Sequence, residues 1–89
     1  MLEQWFGKLV QINCSNGTFV GILEEYKEGK VKLTKTAKML VDERGMMLLP
    51  LVSELYEGEA VLWYGAYGVK QGSDLWRQWQ TATSPLRAV

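Results

Sequence analysis

Leu9-Val10-Gln11-Ile12-Asn13-Cys14, then Ser15-Asn16-Gly17, then Thr18-Phe19-Val20-Gly21-Ile22-Leu23 follow one another without interruption. In the first segment Val10, Ile12 and Cys14 alternate with Gln11 and Asn13, the period-two pattern of a strand buried on one face. Asn16-Gly17 comes next, a pair whose tolerance of positive φ makes it the strongest short hairpin signal. The return segment, residues 18–26, puts Phe19, Gly21 and Leu23 on one face. A glycine inside a strand marks a sharp bend or a close backbone approach. The stretch therefore predicts a hairpin whose second strand is bent, as closure of a small barrel requires.

Outward from this hairpin the pattern stays β-like. Residues 2–6 form one predicted helical turn, with Leu2, Trp5 and Phe6 on one face and Gly7 ending it. Glu25 to Gly29 reads as a polar turn, followed by a third strand over 30–41 with Val31 and Leu33 facing in and Lys30, Lys32 and Thr34 facing out. Asp42-Glu43-Arg44-Gly45 is a charged turn. Residues 46–56 are a nearly continuous apolar run, which calls for cover on both faces. Pro50 within it places that strand at an edge or bulge, because proline donates no ladder hydrogen bond. A last strand is predicted over 60–64, after which the chain loosens through Gly65, Gly68 and Gly72. Ser73 and Asp74 are capping residues for a short helix at 73–80 that carries Leu75, Trp76 and Trp79 on one side. Residues 81–89 are expected to be frayed.

The fold class is therefore mostly β, a small five-stranded, strongly bent antiparallel barrel with a short N-terminal helix and a short C-terminal helical tail. The barrel domain is expected over residues 1–69 and the extension over 70–89. Eighty-nine residues, 47% of them hydrophobic, suffice for one core. A domain of this size gains from burial in an oligomer. Ten basic residues balance ten acidic ones, so any electrostatic function is local. The single cysteine and the absence of histidine exclude the common zinc sites and most nucleophile–base pairs. No cofactor and no catalytic activity are expected. The lone Cys14, together with the lack of a signal-like start or a membrane-length apolar run, points to a cytoplasmic protein without a membrane partner.

Gly7-Lys8-x-Val10-x-Ile12, then Asn16-Gly17, then Phe19-x-Gly21-x-Leu23-x-x-Tyr26 resembles the first signature of the Sm-like (LSm) proteins. Tyr56-Glu57-Gly58-Glu59-Ala60-Val61 falls where that family has its second. The resemblance spans roughly residues 2–64, and its fold belongs with the SH3-like barrels. It implies a homo-oligomeric ring in which the fourth strand of one subunit pairs with the fifth strand of the next. The expected interface is Met46, Met47, Leu48, Leu49 and Leu51 on one side and Val61 and Trp63 on the other. The apolarity of residues 46–52 supports such burial independently.

The family resemblance also implies single-stranded RNA bound around a pore by an Asp and an Asn of the turn between the second and third strands, a stacking side chain and an Arg. This chain departs at each place: Lys27 or Glu28 stands for the Asp, Gly29 for the stacking residue, Lys30 for the Asn and Glu57 for the Arg. Glycine cannot stack a base, and glutamate lacks arginine's cationic fork. Lysine enters instead. Between residues 27 and 38 stand Lys27, Lys30, Lys32, Lys35 and Lys38 against Glu28 alone, a local balance of +4. Lysines are point charges that suit phosphates more than base edges. The expected function is a ring-forming protein that contacts single-stranded RNA or DNA phosphates with low sequence selectivity, in RNA or DNA processing. The alternative is a structural or protein-interaction oligomer that has lost the family RNA site.

Overall fold

Val10, Ile12 and Cys14 are all buried and their neighbours half-buried, so the alternation read from the sequence is realised in the first strand. The computed structural model describes residues 2–51, 59–61 and 63–84, with backbone alone for 59–61, 63 and 64. A 3-10 turn, Leu2–Trp5, precedes the strands β1 (Leu9–Cys14), β2 (Gly17–Lys27), β3 (Lys30–Asp42), β4 (Gly45–Pro50), β5 (Glu59–Val61) and β6 (Trp63–Gly68), and helix α1 (Asp74–Thr83) follows. The protein is mostly β. Its antiparallel sheet has the order β4-β3-β2-β1-β6, and β5 pairs with β3 beside that path.

β3 organises the sheet. Along one edge it carries β2; along the other it carries β4 over residues 37–42 and β5 over residues 30–32. β5 and β6 are separated by residue 62 alone, yet they pair with β3 and β1 respectively. The hydrogen-bonded path is open, and the chain itself links its far members.

Of the two features a strand glycine signals, Gly21 shows the close backbone approach, and the register of β2 on β3 shifts there. Val20 pairs with Ala37 and Ile22 with Thr34, so Lys35 and Thr36 together oppose Gly21 alone. This is a β-bulge, and Lys35 takes a left-handed backbone with φ of 51°. A Cβ on Gly21 would lie 3.0 Å from the Thr34 carbonyl oxygen and 3.2 Å from both Leu33 Cβ and Thr36 Oγ1. Only glycine fits there without displacing its neighbours. A second bulge at Glu24 restores the register between Leu23–Leu33 and Glu25–Lys32.

The apolar residues divide between two faces. The inner face gathers Val10, Ile12, Cys14, Phe19, Leu23, Val31 and Leu33, with Leu2 of the 3-10 turn as a lid. The outer face gathers Val20, Ala37 and Leu48 beneath Trp79 of α1. Ser73 caps that helix, its Oγ accepting from the Trp76 backbone N–H at 3.2 Å. The Trp79 indole N–H donates to the Lys35 carbonyl at 2.7 Å, which satisfies a carbonyl in the bulge.

Four expectations change at this level. Phe6 is 42% exposed rather than packed with Leu2 and Trp5, because the 3-10 turn ends at Trp5. In the first hairpin Ser15 and Asn16 form the loop, Cys14 pairs with Gly17, and Gly17 alone of the Asn-Gly pair has a positive φ, at 138°. The glycine-rich stretch 65–68 is not loose: it pairs with Val10–Asn13 of β1. Its small residues leave room for Trp5, whose ring carbons would lie 2.5 and 2.7 Å from a Cβ on Gly68. Helix α1 runs on to Thr83, with the Thr83 and Ser84 hydroxyls donating back to the carbonyls of Trp79 and Gln80, each at 2.8 Å. The predicted strand 46–56 is seen as β4 up to Pro50, and residues 52–56 lie outside the described residues, as do 85–89 of the tail.

Candidate functional site

β2 and β3 are joined by the tightest kind of hairpin. Glu28 and Gly29 have φ of 53° and 80°, positive at both central positions, which matches the right-handed twist of the flanking strands. The turn makes Lys27 and Lys30 the closing pair, directly across from each other. One rung inward, Glu25 faces Lys32. Period-two alternation sends these side chains to the exposed face, while Val31 between them is completely buried in the inner core. Glu25, Lys27, Glu28, Lys30, Val31 and Lys32 line one cleft of about 330 Å³.

The electrostatics of this cleft are mixed. Three lysines meet two glutamates, so its balance is +1, smaller than the whole segment suggests. Backbone register also sets Glu59 of β5 opposite Lys32. No hydrogen bond or ion pair engages the Lys27, Lys30 or Lys32 amines among the described residues. The closing pair is uncompensated in its own rung, and like charges directly opposite each other are destabilising.

The other two lysines stand apart. Lys35 sits in the bulge and lines a shallow depression beside the last turn of α1, with Trp79, Gln80 and Thr83. Lys38 pairs with Phe19 and lies on the inner-face side, where its stem approaches Gly17. Only Lys27, Lys30 and Lys32 of the five expected phosphate contacts come together. The bulge separates the rest, and nothing in the spacing of the lysines foretold it. Glu57, at the place of the family's Arg, lies outside the described residues.

The expected interface residues divide according to face. β4 is the outer strand of the sheet, as Pro50 required. Leu48 is buried under α1 and Met46 is half-buried there, whereas Met47 and Leu49 are 56% and 42% exposed. Leu40, paired with Met47, is also exposed. Leu51 packs partly against the inner core, and its N–H donates to the Thr36 carbonyl at 3.0 Å. Val61 pairs with Lys30 in β5 and Trp63 with Cys14 in β6. The exposed apolar patch at the end of the β3–β4 hairpin is thus Leu40, Met47 and Leu49, joined by Val41 from the opposite face.

Cys14 closes the inner core. Burial pushes its thiol up to about 11, so at neutral pH it is a packed, protonated side chain and not a nucleophile. Among the described residues no helix is long and apolar enough to cross a membrane, and no three His, Cys, Asp or Glu residues group as metal ligands. Compared with protein-family models, curated proteins and solved structures, the chain matches none of them.

Proposed function

We propose that this protein is an Sm-like barrel that assembles into a homo-oligomeric ring and binds single-stranded RNA or DNA through phosphate contacts, with low sequence selectivity, in RNA or DNA processing. The observation that carries the binding is the Lys27–Lys30 closing pair with Lys32 beside it, three amines on one exposed hairpin face that no described residue engages. An anion between them relieves their mutual repulsion, and phosphate is the anion a nucleic-acid strand repeats. Two features support the barrel: the β3 bulge opposite Gly21, and the passage from β5 on β3 to β6 on β1 across a single residue. Lysine point charges without a stacking residue at Gly29 account for low selectivity at the hairpin.

The test is simultaneous charge reversal, Lys27→Glu, Lys30→Glu and Lys32→Glu. Binding of a labelled single strand should weaken strongly at low salt. The slope of log affinity against log salt should flatten by about 2, from the loss of three contacts at roughly 0.7 each. Unchanged affinity in this variant removes the hairpin from the interface.

Assembly rests on β4. An edge strand with Met47 and Leu49 exposed beside Leu40 invites pairing with another chain. Replacing Leu40 and Met47 with lysine should lower the oligomer size seen by light scattering while leaving the melting temperature of the subunit within a few degrees. An unchanged oligomer after both substitutions places the interface elsewhere.

The second reading is the structural oligomer that has lost the RNA site. Glu25 and Glu28 in the same cleft as the lysines favour it, because they reduce the positive field a phosphate meets. Under that reading the oligomer persists and single strands are ignored even at low salt.

A further inference from the structure

We propose that the cleft between the N-terminal 3-10 turn and the start of α1 is a second nucleic-acid site, which stacks an unpaired base and holds its phosphates. The proposal rests on the nucleic-acid reading above and deepens it by placing base contact away from the β2–β3 hairpin.

The cleft has a volume of about 460 Å³, within the range of small-molecule sites. Two tryptophans line it, Trp5 from the 3-10 turn and Trp76 from the first turn of α1, and both are only half-buried. Each is held in place by the fold. The Trp5 ring lies against the Gly68 backbone, where any side chain would collide with it. The Trp76 backbone is fixed by the Ser73 cap. The Val69 N–H donates to the Leu9 carbonyl at 3.0 Å, which joins the two apolar residues lining the cleft.

Charge separates this cleft from the hairpin. Lys8 and Lys70 line it and are exposed, and among the described residues no carboxylate does. Gln71 adds an amide able both to donate and to accept. Flat aromatic surface flanked by cations is the arrangement that binds single strands, because every base has a face to stack and every linkage a phosphate to neutralise. An apolar peptide would leave both lysines without a partner. Among the described residues no aromatic lines the lysine cleft of the hairpin, so the two sites divide the work: phosphate there, base and phosphate here.

The experiment titrates the full chain with two single-stranded decamers, oligothymidylate and an abasic strand with the same number of phosphates, at low salt. Tryptophan fluorescence and anisotropy are followed together. For the wild type, the base-bearing strand should bind about tenfold tighter and quench tryptophan emission, since stacking on one aromatic contributes on that order. Lys8→Glu with Lys70→Glu, both exposed and so without effect on folding, should weaken both strands. Trp76→Leu should abolish the preference for bases, and its melting curve checks that α1 still docks. The Lys27, Lys30 and Lys32 reversal should weaken both strands equally and keep the preference. Equal affinity of the wild type for the two decamers, or indifference to the Lys8 and Lys70 reversals, overturns this site while leaving the hairpin reading standing. Failure of the wild type to bind either strand overturns the nucleic-acid reading, and this site falls with it.

Discussion

Trp79→Ala is expected to cost about 3–5 kcal/mol of folding stability, which is the range for deleting a large buried aromatic side chain. Trp79 is 8% exposed, covers Val20, Ala37 and Leu48, and is the one residue of α1 buried against the sheet. Its indole N–H also satisfies the Lys35 carbonyl in the bulge. Trp79→Phe separates the two contributions. It keeps most of the packing and leaves that carbonyl without its donor, a loss of about 1–3 kcal/mol. Urea unfolding with an unchanged slope measures both. A cost below about 1 kcal/mol for the alanine variant would mean that α1 does not hold the outer face.

The second large effect is expected at Gly21. Gly21→Val should destabilise by about 1–3 kcal/mol, because its Cβ meets a backbone oxygen at 3.0 Å and its methyls add further overlap. Gly21→Ala is a closer contest. Its Cβ demands a shift of a few tenths of an ångström from Thr34 and Leu33, while the alanine restricts the unfolded chain and returns about 0.4–1 kcal/mol. The alanine variant should therefore lie near the wild type and the valine variant well below it, in the same urea series. Equal midpoints for all three would show that the close approach to Thr34 does not need the glycine.

These two sites also show where the sequence was informative. β1 and β2 were legible because Val10, Ile12, Cys14, Phe19 and Leu23 repeat at period two, and Gly21 broke the pattern where the register of β2 on β3 shifts. Apolar residues on both sides of Gly21 already signal two covered faces. Val20 and Ile22 are the ones α1 covers. The bulge at Lys35 left no mark in the sequence, since a lysine in a left-handed backbone is a consequence of pairing across Gly21. β6 was hidden for the opposite reason. Gly65, Ala66 and Gly68 have little intrinsic strand preference, and their place is set by β1 and by the Trp5 ring.

The candidate site was legible in part. Alternation placed Lys30 and Lys32 on one face, and hairpin geometry then brought Lys27 to them. Lys35 and Lys38 were lost to the bulge and to the inner-face side. The aromatic cleft could not be read from spacing at all, because Trp5 and Trp76 stand 71 positions apart and meet the same cavity only through the fold. The apolar run divided into residues under α1 and residues facing solvent, which leaves Met47 and Leu49 as the exposed members of that run, beside Leu40 of β3.

Nucleic-acid binding by the hairpin is read most directly from anisotropy of a labelled single strand, RNA and DNA in turn, titrated with the wild-type protein across a salt series. Binding is expected at low salt, its log affinity falling linearly with log salt at a slope of about −2 or steeper from the hairpin lysines alone. Absence of binding at low salt, or affinity that salt does not change, would contradict it.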